Sequence, residues 1–358
     1  MNKVDLNEVL KKFEVNSRIR QYGNGHINDT YKTEKSQYIL QRINTDVFKN
    51  PAEVMENITN VTDFLRKKII NSHGDPERET LTVLKAFDGK SFYEHDKDNV
   101  FRLYKFIADT KTVENDKTLT DLYNAGKGFG KFQRMLDDFP VNVLHETIRD
   151  FHDTPKRVEH LKTAISEDRA GRAVEVQKEI EFALENASFA DVVVNGIQDH
   201  SIPLRVTHND TKINNILFDK TSGEAVCVID LDTVMPGSML YDFGDALRMG
   251  GSTAAEDETE LDKVHFDKEC FKAFAKGYLG EVRDVITQKE TDLLAFSAKL
   301  LTYECGIRFL TDYLNGDTYF KIHREHHNLD RARNQFKLVS ELNVIEPELN
   351  EIVYDLTR

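Results

Sequence analysis

The chain predicts an α+β fold of two lobes, a small antiparallel-sheet lobe over residues 1–108 and a larger, mainly helical lobe over residues 109–358. Three observations predict it. A length of 358 residues exceeds one ordinary hydrophobic core and suffices for two. Short apolar runs separated by Gly, Asn and Asp turns crowd the first third of the chain. Beyond about residue 115 the apolar residues recur at helical spacing instead.

In the first lobe, Leu6, Val9, Leu10 and Phe13 share one side of a helix over residues 5–14. Arg18–Gln21 leads into Tyr22-Gly23-Asn24-Gly25-His26-Ile27-Asn28-Asp29-Thr30-Tyr31, read as a strand, a glycine turn and a second strand, with Lys35-Ser36 as the next turn. Gly23 and Gly25, with Asn24 between them, let backbone N–H groups approach a phosphate closely. An ordinary hairpin turn is the competing reading of the same residues. Tyr38–Ile43 is the third strand, and Pro51 opens a helix over about residues 51–69. Thr80–Ala86, Ser91–Glu94 and Val100–Ile107 read as further strands, joined by Asp88-Gly89 and Asp96–Asn99 turns.

In the second lobe, Leu122, Ala125, Phe129, Phe132 and Leu136 form a stripe at helical spacing, a core helix rather than a cofactor box. A charged helical run over residues 142–188 breaks at His152-Asp153-Thr154-Pro155. His145, His152 and His160 read as surface and turn residues rather than metal ligands. Thr259–Gly280, Gln288–Tyr313 and Arg331–Leu342 are the remaining helices.

The charge balance, 48 basic against 62 acidic residues for a net −14, argues against nucleic acid or an anionic membrane as the main partner. It leaves room for a local positive field around a bound phosphate. Cys227, Cys270 and Cys305 lie in apolar surroundings without pair spacing, as reduced core thiols of a cytoplasmic protein do. The first residues carry no leader-like apolar run, and no stretch approaches the roughly 20 apolar residues of a membrane span. No oligomeric partner is inferred.

Chemistry concentrates between Thr207 and Asp232. His208-Asn209-Asp210-Thr211-Lys212-Ile213-Asn214-Asn215 lies between two strand-like runs, Ile202–Val206 and Ile216–Phe218. A third run, Ala225–Ile229, delivers Asp230-Leu231-Asp232. His-x-Asp, an Asn five residues on and an Asp ending a later strand are the parts of a phosphoryl-transfer site, in the required order. Phosphoryl transfer passes through a loose transition state, so catalysis is positioning and charge neutralisation. Asp210 faces the attacking hydroxyl and takes its proton. Asn215, a hard amide-oxygen ligand, and Asp230 hold Mg²⁺. The competing reading is a hairpin whose Asp and Asn are turn formers. Gly244-Asp245 before an apolar helix reads as an element that stabilises this loop. The string Asp242-Phe243-Gly244 follows no strand end and is not taken as the metal site.

These stretches resemble the aminoglycoside phosphotransferase and choline kinase superfamily, and within it the bacterial N-acetylhexosamine 1-kinases. Tyr22–Asn28, Tyr38–Gln41, Thr207–Asn215, Ile229–Thr233, Pro236–Asp245 and Glu304–Leu310 carry the closer resemblance, which covers essentially the whole chain. The resemblance implies a protein-kinase-like fold and an enzyme that uses ATP and Mg²⁺ to phosphorylate the anomeric hydroxyl of N-acetylglucosamine or N-acetylgalactosamine. It implies His26, Thr233, Arg308 and Tyr319 as acceptor-binding residues around Asp210. Arg308 lies in an apolar helix, which calls for a polar ligand or a buried carboxylate partner such as Asp312; an Arg–Asp pair one turn apart is the purely structural alternative. Gly23, Asn24, Gly25, Gln41 and Phe106 are the nucleotide-binding candidates, Phe106 in a hinge Tyr104–Ile107 whose backbone meets adenine.

One position departs from the kinase pattern. The third strand, which ordinarily carries a phosphate-binding Lys, has Gln41 with Arg42 beside it, and alternation lets only one of them face ATP. Glu53 and Glu56 on the following helix are available as ion-pair partners or as solvated carboxylates. Three functions therefore stand: an N-acetylhexosamine 1-kinase, a kinase of another small acceptor such as an amino alcohol, homoserine or an aminoglycoside, and a nucleotide-binding pseudokinase.

Overall fold

The computed structural model describes residues 4–23, 27–35, 37–114 and 116–358. In chain order these form α1 (Leu6–Lys11), β1 (Ile19–Gln21), β2 (Asp29–Thr33), β3 (Tyr38–Ile43), α2 (Pro51–Asn71), α3 (Pro76–Glu79), β4 (Val83–Leu84), β5 (Tyr93–Asp96), β6 (Asn99–Lys105) and β7 (Thr110–Lys111). Then come α4 (Leu119–Met135), α5 (Thr154–Glu167), α6 (Gln177–Glu185), α7 (Val192–Gln198), β8 (Arg205–Thr207), β9 (Ile216–Asp219), β10 (Ala225–Val228) and β11 (Met235–Gly237). Four helices close the chain: α8 (Met239–Gly250), α9 (Lys268–Val282), α10 (Gln288–Leu314) and α11 (His327–Thr357). Two compact units emerge, one of residues 1–112, 135–149 and 215–236, the other of residues 113–134, 150–214 and 237–358.

The first unit is built on a six-stranded sheet of order β1-β2-β3-β6-β4, with β5 also paired to β6. Its pairings are antiparallel. Strand alternation gives the sheet two faces of different chemistry. Leu40, Phe101 and Leu103 pack with Val9, Leu10 and Phe13 of α1 and its C-terminal turn, forming the apolar layer. The register sets Thr30 beside Gln41, Lys32 beside Ile39, Gln41 beside Arg102 and Ile39 beside Tyr104, so the other face carries Lys32, Gln41 and Arg102. Pro51 starts α2 as expected, and Val54, Met55, Ile58, Val61, Leu65 and Ile69 form its buried stripe. Asn57 ties α2 to two later segments: its Nδ2 donates to the carbonyls of His145 (2.8 Å) and Val234 (2.9 Å). A smaller sheet of order β10-β9-β7 completes the unit.

The second unit is helical around α10, whose N-terminus carries a Thr287–Glu290 capping box. Glu290 is also the buried partner of Arg205, at 2.7 Å from its Nε. Gly126, Gly130 and Gly277 allow α4 and α9 to approach closely. A Cβ at Gly126 would lie 2.1 Å from the Phe274 carbonyl oxygen, and one at Gly277 would lie 2.0 Å from that of Tyr123. Leu122, Ala125, Phe129, Phe132 and Leu136 are all buried, as their spacing predicts.

Several boundaries differ from the sequence reading. The strand expected over Thr80–Ala86 is two residues long, because Asp75 and Pro76 start a helical turn just before it and Ala86–Lys90 closes a turn after it. The last helix runs fifteen residues beyond Leu342, through Pro347. Proline lacks an N–H, but Leu349 and Val353 are buried beyond it, and Lys299–Glu346 and Lys268–Glu348 pairs hold that stretch at 2.5 Å each. Among the described residues no helix is long and apolar enough to cross a membrane.

Candidate active site

The loop after β8 is held by carboxylates from α8. Residues 207–211 include Asn209 in the left-handed region (φ 64°), a conformation that needs external support. Asp242 supplies it, accepting the backbone N–H of His208 (2.9 Å) and of Asn209 (2.8 Å). Gln133 Nε2 donates to the same carboxylate at 2.6 Å. Asp245 accepts the N–H of Thr211 at 2.9 Å, the loop-stabilising role its position suggested, and pairs with Arg248 at 3.2 Å. His208 Nδ1 accepts the N–H of Asp210 at 3.2 Å, which helps to fix the loop. Phe129 and Phe132 pack edge-on against its ring.

Asp210 stands beside Lys212, 2.9 Å from its Nζ. Burial alone would push the Asp210 carboxyl up, but the charge and hydrogen bond of Lys212, with His208 and Arg248 beyond, hold it below its ordinary value. Lys212 is pushed up by Asp210 against its own desolvation. The carboxylate is therefore ionised and oriented at neutral pH.

Behind the loop, His152 lies between Glu304 Oε1, 2.7 Å from Nδ1, and the Asn209 carbonyl, 3.3 Å from Nε2. Glu304 also accepts the hydroxyl of Thr154 at 2.6 Å. His152 is buried, contrary to the expected surface position, because α10 delivers a buried carboxylate to it. His145 does sit at the surface, paired with Glu56 at 2.9 Å, and His160 is exposed. Arg308, one turn beyond Glu304 on α10, lies against the rings of Phe151 and Phe320, and Tyr319 and Glu304 act on its charge. Asp312 is not its partner. That carboxylate instead accepts the backbone N–H groups of Thr318, Tyr319 and Phe320, at 2.9, 2.8 and 2.9 Å. Arg157 adjoins this group; burial and the Arg308 charge lower its pKa.

The first unit gathers a second constellation. Asn215 and Asp230 lie at neighbouring strand ends, joined by the Ile229 N–H to the Asn215 carbonyl at 2.9 Å. Asp230 has φ 60° and begins the turn Leu231–Thr233, which buries Thr233. Two residues on, Asp232 is a hub. It accepts Asn28 Nδ2 at 2.6 Å and forms a buried ion pair with Arg102. Arg102 Nε in turn donates to Gln41 Oε1 at 3.0 Å, and Gln41 Nε2 donates to Thr30 at 3.1 Å. Gln41 thus lies on the sheet face of Arg102. Arg42 points to Asp29 at 2.5 Å, on the exposed side. Phe106 meets Tyr22 edge-on at 6.3 Å, and its N–H goes to the Gln37 carbonyl at 2.8 Å. Gly23 has φ 73°. Asn24, Gly25 and His26 lie outside the described residues.

An amide oxygen and a carboxylate fit a hard divalent cation such as Mg²⁺, whose remaining ligands in such sites are phosphate oxygens and water. Among the described residues no cluster of three or more His, Cys, Asp or Glu forms an all-protein site for a metal. Sequence reasoning missed Asp242, Gln133, Glu304 and Arg102. A signal existed for one of them: α8, which carries Asp242, is buried almost throughout, so its carboxylates need internal donors.

A kinase-like fold with an acid-anchored His-x-Asp loop defines a small-molecule phosphotransferase. Residues 18–275 match the phosphotransferase enzyme family (APH), and the chain belongs to it. The fold is similar to that of a microcompartment-associated aminopropanol kinase (TM-score 0.58, 16% identity, covering 96% of this chain and 98% of that one). It is also similar to that of an aminoglycoside phosphotransferase from Alicyclobacillus acidocaldarius (TM-score 0.62, 12% identity, 99% and 98% covered). A Plasmodium vivax ethanolamine kinase shares the fold as well (TM-score 0.53, 14% identity, 89% and 82% covered).

Proposed function

We propose that the protein transfers the terminal phosphoryl group of ATP to the anomeric hydroxyl of an N-acetylhexosamine, giving the sugar 1-phosphate. The observation that carries the phosphotransferase reading is the loop geometry: two buried α8 carboxylates hold the backbone around an ionised Asp210. Asp210 orients the acceptor hydroxyl and takes its proton. The sugar oxygen forms the new P–O bond as the bond between the terminal phosphorus and its bridging oxygen breaks, leaving ADP. Asn215 and Asp230 are the residues that hold Mg²⁺, which when bound neutralises phosphate charge. The glycine stretch Gly23-Asn24-Gly25, with Gln41 and Phe106, serves the nucleotide.

The acceptor class is inferred from Arg308. Arg157 and Arg308 outnumber the buried Glu304 carboxylate that acts on both, and Glu304 already has His152 as a partner, which disfavours an ammonium-bearing acceptor. A neutral acetamido sugar fits this better, with Tyr319 and Arg308 as hydrogen-bond donors and Phe320 as an apolar wall. His26 and Thr233 complete the proposed acceptor set. The second reading, an amino-alcohol kinase, is favoured by two of the similar folds, aminopropanol and ethanolamine kinases.

The test is ADP release with Mg²⁺-ATP against N-acetylglucosamine, N-acetylgalactosamine, glucose, choline, homoserine and kanamycin, with phosphorus NMR of the product. Turnover confined to the two acetamido sugars, with phosphate on the anomeric carbon, is the expected result. Turnover of choline or homoserine instead would replace the sugar reading with the second one.

A further inference from the structure

The sheet face that bears Gln41 carries two other cations, and they differ in one respect. Arg102, 1% exposed, is neutralised by Asp232 and braced by Gln41. Lys32, presented from β2 on the same face, is 8% exposed and among the described residues has no side-chain ion pair or hydrogen bond. Its ammonium lies 3.6 Å from the Phe106 ring centroid and 4.8 Å from that of Tyr22. The charged groups that act on it are Arg20 of β1 and Lys220 after β9, both of its own sign. Burial first, then these two cations, lowers the Lys32 pKa. In a chain of net charge −14, three cations at one place, with no carboxylate acting on Lys32 among the described residues, mark an anion site.

We propose that Lys32 binds the phosphate groups of the nucleotide, supplying from the second strand the positive charge that the third strand lacks. This rests on the phosphotransferase reading. A cation held only by ring faces loses more solvation than they return, and a phosphate would restore it. Arg102, 1% exposed and already engaged by Asp232 and Gln41, is less available for this role. Division of labour follows: Arg102 positions the strand end that carries Asp230, and Lys32 contacts the ligand.

Such a lysine has a two-sided signature. Lys32→Met removes an unbalanced cation, so the melting temperature stays level or rises, while affinity for ADP falls by about tenfold or more. Titration calorimetry with ADP and, separately, adenosine on the full chain reads the second effect. Adenosine affinity is expected to stay within about twofold, since it has no phosphate, and Lys32→Arg to bind ADP within about threefold of wild type. Equal losses for ADP and adenosine, unchanged ADP affinity, or a clear drop in melting temperature would each overturn the proposal. Wild-type protein that binds neither ligand would overturn the phosphotransferase reading first, and the role of Lys32 with it.

Discussion

Asp242 accepts the backbone N–H of Asn209 at 2.8 Å, and Asn209 is the residue whose left-handed backbone turns the chain into Asp210. An αL asparagine held by a buried carboxylate is a strained geometry maintained from outside the loop. Asp242→Asn keeps the shape but replaces one acceptor oxygen with a donor, setting an NH₂ against a backbone N–H. Leaving one buried donor unsatisfied costs about 1–3 kcal/mol. The expected result is a fall in kcat of about tenfold to hundredfold with acceptor KM changed far less. Steady-state kinetics alongside circular dichroism checks it; an unaltered kcat would remove Asp242 from the positioning of the loop.

Asp210 itself separates turnover from binding. Asp210→Ala removes the group proposed to meet the acceptor hydroxyl and changes no residue of the first unit. Turnover is expected to fall by at least about 10²-fold, the usual contribution of a positioned acid–base group, while ADP affinity measured by calorimetry stays near wild type. Phosphorylation at a near-normal rate in this variant would defeat the assignment.

Much of this was legible in the residues, for reasons that differ by element. The spacing of Asp210, Asn215 and Asp230 was readable because a short chemical motif is local in sequence. The α4 stripe was readable because 3.6-residue periodicity is local too. Arg102 was not, since it sits 130 residues from Asp232 and only the register of β3 against β6 brings it beside Gln41. His152 was misread for the same reason: its partner Glu304 lies 152 residues away, and a histidine before a proline-capped helix looks like a turn residue. The short β4 was overestimated because an apolar run signals burial without specifying hydrogen-bond partners.

Lys212 sets the acid limit of the reaction. Asp210 is depressed although its burial opposes ionisation, and Lys212 is the main group that reverses the sign. In the wild type, an acid limb of kcat set by Asp210 is expected below its ordinary value of 3.8. In Lys212→Met the desolvation is left unopposed by its nearest cation, so the Asp210 pKa rises and the acid limb of the kcat profile moves to higher pH. A pH series of kcat for both proteins measures the displacement. A limb that stays in place would show that another group governs it.

The Arg102–Asp232 pair makes a double-mutant prediction. Removing one member of a buried ion pair costs about 3–5 kcal/mol, because the other charge is left uncompensated. Arg102→Met should therefore destabilise strongly, and Asp232→Asn added to it should restore a large part of the loss. Denaturant unfolding of the two single variants and the double variant supplies the coupling energy. Additive losses would mean that the two side chains act independently, and the hub drawn around Asp232 would have to be redrawn without Arg102.

Gly277 tests the packing beneath the catalytic loop. On α9 it faces Tyr123 of α4 so closely that a Cβ would lie 2.0 Å from a backbone oxygen, and backbone cannot swing aside as a side chain can. Gly280, three residues along the same helix, has open space around the same position. Alanine at either site gains about 1 kcal/mol of helix propensity over glycine. At Gly280 that gain is unopposed, and Gly280→Ala should raise the melting temperature slightly. At Gly277 the helices must separate, and overpacking of this kind costs about 1–3 kcal/mol, which outweighs the propensity gain. Because α4 also carries Phe129 and Phe132, whose rings flank His208, the displacement should lower kcat as well as stability. Thermal unfolding and kcat for both alanine variants decide the matter: equal stability of the two would show that α4 and α9 do not meet as closely as their glycines allow.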